Sequence, residues 1–138
     1  MKQALVDSSV VLDLLTRDPL FFASSKETLV RWGSTHLLSI NAVIYSEVSV
    51  GFRTIESLEE TLAGVGFRIA PIPREALFLA GKVFVAYRRR GGSRTSPLPD
   101  FFIGAHAAVE RLPLITRDPA RVRREFPTVA IVEPRAPT

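Results

Sequence analysis

The sequence predicts an α/β fold: three layers, with a mostly parallel central sheet of four to five strands flanked by helices. Three observations carry this. Short apolar runs alternate with longer amphipathic stretches along the whole chain, the connections between them are brief, and Ser, Thr, Asn, Asp, Gly and Pro fall at the junctions. Parallel strands need crossover helices, and those helices cover the sheet.

Gln3 to Val6 reads as the first strand and runs into Asp7, after which Ser8 and Ser9 offer hydroxyl caps to the apolar segment Val10 to Leu15. Asp18-Pro19 restarts a helix bearing Leu20, Phe21, Leu29, Val30 and Trp32, with Gly33 expected as its C-terminal cap. Leu37 to Ile40 is the second strand. Asn41 caps a helix from Ala42 to about Phe52, where Val43, Ile44 and Val50 surround Glu47 at helical spacing. Thr54 opens a more polar helix ending in the Gly64 to Gly66 turn, and Phe67 to Ile72 alternates like a strand. Arg74 to Tyr87 is amphipathic, closes on Arg88, Arg89 and Arg90, and breaks at Gly91-Gly92. Ser93 to Pro99 forms a polar loop that delivers Asp100 to a helix start. That helix runs to about Leu112, Pro113 to Thr116 is the next strand, Pro119 opens a short basic helix, and Val129 to Val132 is the last strand. No repeat or linker interrupts residues 1–138, so a single domain is expected.

Composition narrows the chemistry. With no cysteine, disulfides, thiolate metal sites and thiol nucleophiles are excluded. The longest apolar runs fall short of the roughly 18 residues a membrane span needs, and Asp7 and Asp13 interrupt the N-terminus where a signal peptide would be apolar, so a cytoplasmic protein without a membrane partner is expected. A net charge of +4 and a pI near 10.1 favour polyanionic partners, although eighteen basic against fourteen acidic residues is a modest excess that serves solubility as well.

The acids say more. Three of the five Asp residues stand at element boundaries: Asp7 after the first strand, Asp100 at a helix start, Asp118 after the fourth strand. Glu47 adds a carboxylate on a semi-apolar helix face. In a parallel sheet these four can converge near the strand ends, where two carboxylates about 4 Å apart repel by about 1 kcal/mol in water and about 4 kcal/mol at an effective dielectric near 20. Protonation or a cation must relieve that repulsion. With oxygen donors only, Mg²⁺ or Mn²⁺ is the natural cation, able to polarise a phosphate and lower the pKa of a bound water. Ser9, Ser46 and Thr116 accompany the acids at spacings suited to orienting carboxylates. Singly, Asp7, Ser8 and Ser9 also read as helix caps, Asp100 as an acid of a first helical turn, and Asp118 as the start of an Asp-Pro turn. Those readings leave Glu47 unexplained.

These pieces resemble the PIN-domain family, in particular VapC-type toxins of toxin–antitoxin pairs. Val6-Asp7-Ser8-Ser9-Val10-Val11 is similar to its opening strand and turn, Ser46-Glu47 to its helix-borne acid, Pro99-Asp100-Phe101-Phe102-Ile103-Gly104-Ala105-His106-Ala107 to its third motif, and Thr116-Arg117-Asp118 to its fourth. Order and spacing agree over nearly the whole chain. The opening motif often has Asn where this chain has Ser9. The resemblance implies a PIN-like fold with Asp7, Glu47, Asp100 and Asp118 as metal-binding acids, assisted by Ser9 and Thr116. It also implies cleavage of an RNA, tRNA being one candidate, a homodimer, and inhibition by an antitoxin whose C-terminal segment covers the cleft. The expected reaction is hydrolysis that leaves a 5′-phosphate and a 3′-hydroxyl.

Other groups read as supporting. Arg117 and Arg121, with Arg123 and Arg124, flank Asp118 and are the expected phosphate contacts. Arg88, Arg89, Arg90 and Arg94 serve either RNA or a helix C-terminus. His106 stands about 240° around its helix from Asp100 and is expected to pack, and His36 to lie at the surface. Trp32, Phe21 and Phe22 suit the core, or a dimer or antitoxin groove. Phosphotransfer on Asp7, as in haloacid-dehalogenase-like phosphatases or response-regulator receivers, is a poor match. The first wants an acid where Ser9 stands, and the second a late lysine where the only lysines are Lys2, Lys26 and Lys82. A DNA-directed nuclease and a PIN-like binding module stay open.

Overall fold

Five strands and seven helices form in the computed structural model, which describes residues 2–92 and 98–135. The loop expected from Ser93, and Arg94 within it, therefore fall outside the described residues up to position 97. In chain order the elements are β1 (Lys2–Val6), α1 (Ser8–Leu15), α2 (Phe22–Gly33), β2 (His36–Ile40), α3 (Ala42–Ser49), α4 (Ile55–Val65), β3 (Arg68–Ile69), α5 (Arg74–Arg89), α6 (Leu98–Glu110), β4 (Leu114–Ile115), α7 (Ala120–Glu125) and β5 (Ile131–Val132). All pairings are parallel and the strand order is β3-β2-β1-β4-β5, so the expected fold class is what forms.

The caps largely follow the sequence. Asn41 accepts from the Ile44 N–H, Thr54 from the Ser57 N–H, and Gly66 ends α4 at φ +94°, a conformation in which any side chain would be strained. Four expectations are corrected. The cap of α1 is the Asp7 carboxylate, which accepts from the Ser8 N–H, and not a serine hydroxyl. The second helix begins at Phe22, because Asp18 holds the Leu20 and Phe21 N–H groups in a turn ahead of it. Gly33 stays inside α2 with Ser34 as the cap. The stretch Phe67 to Ile72 yields only two strand residues, because its neighbour β2 ends at Ile40, where Asn41 turns the chain into α3. The helices end earlier than expected too. α3 stops at Ser49, and α6 stops at Glu110, where Arg111 takes the left-handed φ of +54° and the Leu112 N–H reaches back to the Ala107 carbonyl.

The core is built on the central strand. Ala4, Leu5 and Val6 are fully buried, with Val10, Val11, Ile40, Ile44 and Ile115 around them. Phe101 of α6 is also fully buried and meets Phe84 edge-on at 5.3 Å, Tyr87 at 5.3 Å and Phe126 at 6.4 Å. Each such side chain contributes about 1.5–3 kcal/mol by leaving water. Gly104 matters here, since a Cβ would collide with the Phe126 ring that seats α7 on α6.

Candidate functional site

The sheet order sets the place. β1 has β2 on one side and β4 on the other, so the chain leaves its central strands in opposite directions and opens a crevice beyond the carboxyl ends of β1 and β4. Asp7 follows β1, and Thr116, Arg117 and Asp118 follow β4. Here lies a cavity of about 250 Å³ whose walls include Asp7, Ser8, Ser9, Glu47, Asp100, Asp118 and Arg121, over a floor of Leu12, Ile103, Leu114 and Val122. All four acids singled out in the sequence reach it. A cavity of about 570 Å³ near Leu29, Val30 and Leu38 is larger, but it carries Lys26 and His36 and no acid.

Asp7 is fixed on both oxygens. Oδ1 accepts from the Ser8 N–H at 2.8 Å; Oδ2 accepts from Ser9 Oγ at 3.1 Å and Thr116 Oγ1 at 2.7 Å. Thr116, buried at the end of β4, also accepts from the Asp118 N–H at 3.0 Å, so one hydroxyl links two of the acids. Ser9 joins the same network by accepting from the Arg117 N–H at 3.2 Å. Ser46 stands apart: it is exposed on α3, and its carbonyl accepts from Ser49 Oγ.

Glu47 and Asp100 supply the tension. Burial pushes the Glu47 carboxyl above the usual range; the Ser8 hydroxyl pulls it down, and the charges of Asp7 and Asp100 raise it further. Its Oε1 is buried with no hydrogen-bond partner among the described residues. Burial raises Asp100 as well. Arg121 opposes this by charge and hydrogen bond, while Asp7 and Asp118 add to it. Arg121 Nη1 donates to Asp100 Oδ2 at 2.9 Å, which brings the α7 guanidinium into the cleft.

Arg117 does not stand where the sequence led us to expect. Its Nε and Nη2 grip the two oxygens of Asp13 at 2.6 and 2.8 Å, and its guanidinium lies 4.0 Å from the Phe21 ring centre. Asp13 is 2% exposed and also accepts from Ser25 Oγ at 2.8 Å. Arg117 is thus spent on holding the β4 loop to α1, a role in conflict with a phosphate contact. Arg90 and Arg124 are likewise engaged, both by the buried Glu125. His106 is buried, with Nδ1 3.1 Å from Asn41 Nδ2, and burial lowers its pKa. His36 is half-buried against Trp32 with ring centres 4.8 Å apart. Sequence reasoning missed Asp13 and Ser8. The available signal for Asp13 was an acid inside the apolar run Val10 to Leu15.

The donor set suits a hard cation: carboxylate and hydroxyl oxygens with no sulfur or imidazole, and a buried Glu47 oxygen unpartnered. Among the described residues, though, no three His, Cys, Asp or Glu side chains already stand where all could hold one ion. Asp100 is turned to Arg121 instead.

Comparison with known proteins agrees with the architecture. The family model described as PIN domain matches residues 4–126. Solved structures share the fold: a VapBC2 complex of Rickettsia felis bound to a promoter DNA fragment (TM-score 0.74, 16% identity, covering 94% of this chain and 97% of that one), a toxin–antitoxin complex from Klebsiella pneumoniae (0.71, 24%, 98% and 100%), and DNA-bound VapBC from Salmonella typhimurium (0.71, 17%, 96% and 98%). No curated protein sequence gives a match.

Proposed function

The chain belongs to the PIN-domain family, and on that footing we propose that it is a metal-dependent endoribonuclease acting as the toxin of a toxin–antitoxin pair. The observation that carries the reading is the meeting of Asp7, Glu47, Asp100 and Asp118 on one cavity at the switch point of the sheet. These four would hold Mg²⁺ or Mn²⁺, which would supply Lewis-acid charge to the phosphate and to water. The chain's own groups prepare the place. Thr116 and Ser9 fix Asp7, and Thr116 positions the Asp118 backbone. Arg121, the cation in the cleft, is the phosphate contact. Water then breaks the phosphodiester to leave a 5′-phosphate and a 3′-hydroxyl.

The partners follow from the same reading: an RNA, tRNA being one candidate, an antitoxin that covers the cleft, and a second copy of the chain, all in the cytoplasm. The Klebsiella structure is a toxin–antitoxin complex and the Rickettsia and Salmonella structures are of VapBC2 and VapBC, which supports the second of these. No described helix is long and apolar enough to cross a membrane. One observation favours a second reading, a binding module of PIN fold: among the described residues, no three acids already stand in place for an ion.

Cleavage of a mixed tRNA and structured-RNA pool separates them. Purified chain free of antitoxin is assayed with Mg²⁺ or Mn²⁺, with EDTA, and beside Asp100→Asn. Cutting that needs both metal and Asp100 is expected. Cutting that persists in EDTA or in the variant overturns the mechanism, and no cutting by folded, metal-bound protein favours the binding module. A DNA duplex and a DNA single strand included in the pool test DNA as substrate.

A further inference from the structure

A cleft lined by four carboxylates must have its charge met before any ion enters. The charge nearest to hand is the chain's own, because Arg121 Nη1 lies 2.9 Å from Asp100 Oδ2 inside the cavity that Asp7, Glu47 and Asp118 also line. The helix bearing it is seated without that contact. Val122 and Phe126 are buried, and Glu125 is gripped by Arg90 at 2.6 Å. The Arg121 side chain keeps 24% exposure and Asp100 keeps 40%, so the pair is one that can exchange rather than a sealed ion pair. Arg117 cannot take its place, because Asp13 already holds that guanidinium by two hydrogen bonds.

We propose, resting on the metal-dependent reading above, that Arg121 is a resident counter-cation: it holds Asp100 in the metal-free cleft and competes with the divalent ion for that carboxylate. A guanidinium and a divalent cation on one carboxylate repel each other, so the ion enters as the arm leaves. The pair also accounts for one Asp100 oxygen being held by a guanidinium in the cleft that Asp7, Glu47 and Asp118 line. Arg121 therefore weakens metal binding while it stabilises the metal-free protein. Its displaced guanidinium is then available where a phosphate would approach.

Direct Mn²⁺ binding, read from loss of the free-ion paramagnetic resonance signal at low ionic strength, tests this on the wild-type chain, Arg121→Gln and Arg121→Lys, with thermal melting in EDTA alongside. Removing a part-exposed competing charge is expected to lower the Mn²⁺ Kd roughly two- to fivefold in Arg121→Gln. The EDTA melting temperature should fall in that variant and its rise on adding Mn²⁺ should grow. Arg121→Lys is expected between the two, and it decides the matter if the Gln variant does not fold. If the wild type binds Mn²⁺ and the variants bind equally or more weakly, the counter-cation role is wrong while the metal-dependent reading stands. If no form binds Mn²⁺, that reading fails and this role falls with it.

Discussion

Arg117 and Asp13 form a two-pronged ion pair, Nε to Oδ2 at 2.6 Å and Nη2 to Oδ1 at 2.8 Å, that ties the loop after β4 to the first helix. The loop so held carries Thr116 on one side of Arg117 and Asp118 on the other, and the Arg117 N–H also reaches Ser9. Asp13 keeps the guanidinium strongly basic, raised above its ordinary value despite partial burial. The pair thus holds a loop that bears one acid, Asp118, and the hydroxyl that orients another, Asp7.

Asp13→Ala should leave a part-buried guanidinium without its carboxylate. Breaking a fully buried pair costs about 3–5 kcal/mol, and because Arg117 keeps 28% exposure a loss of about 2–3 kcal/mol is expected. Urea unfolding measures it. Arg117→Met keeps some packing on Phe21 but leaves the 2%-exposed Asp13 carboxylate with the Ser25 hydroxyl in place of a cation, so it should cost at least as much stability as Asp13→Ala and also lower the cleavage rate. Equal activity in wild type and Arg117→Met would show that the β4 loop holds its place without the pair.

Much of this was legible in the sequence, for identifiable reasons. Asp7, Asp100 and Asp118 lie at element boundaries that short apolar runs and cap residues mark, and Glu47 stood out because charge on an apolar helix face is costly. The fold class followed from alternation alone. Strand lengths did not, since β3 and β5 are cut short by where their neighbours end, a tertiary fact. Arg117 and Arg121 looked equivalent by distance from Asp118, and only the packing of α1 against the β4 loop separates them. Asp13 was the mirror case of Glu47: an acid inside an apolar run, whose partner lies 104 positions away.

Glu47 gives a pH signature in the metal-free protein. Burial first, and then the charges of Asp7 and Asp100, raise its carboxyl above the unfolded value, with the Ser8 hydroxyl opposing. A raised carboxyl pKa means that the native state holds the proton more tightly. Its contribution is therefore complete below the unfolded carboxylate pKa of about 4.3 and is lost as pH rises through the higher native value. Melting curves of wild type and Glu47→Gln in EDTA should coincide at the acid end and separate upward through that window, with the variant the more stable at neutral pH. Mg²⁺ should raise the wild type more than the variant. Parallel curves across the whole range would mean that ionising Glu47 costs nothing.

Thr116 tests whether hydroxyl placement or mere packing organises the acids. Its Oγ1 donates to Asp7 Oδ2 at 2.7 Å and accepts from the Asp118 N–H at 3.0 Å, and the residue is 1% exposed, so water cannot stand in easily. Thr116→Val keeps the shape and removes both bonds. Stability should fall by about 1–3 kcal/mol, because the Asp118 N–H loses its acceptor and Asp7 loses a donor. Metal affinity should fall by about ten- to a hundredfold, the usual effect of removing a group that orients a ligating carboxylate. Thr116→Ser keeps the hydroxyl and should restore most of the affinity while losing only the methyl packing. If Val and Ser variants bind Mn²⁺ alike, the hydroxyl is not what orders Asp7, and the Ser8 N–H and Ser9 Oγ bonds hold the carboxylate by themselves.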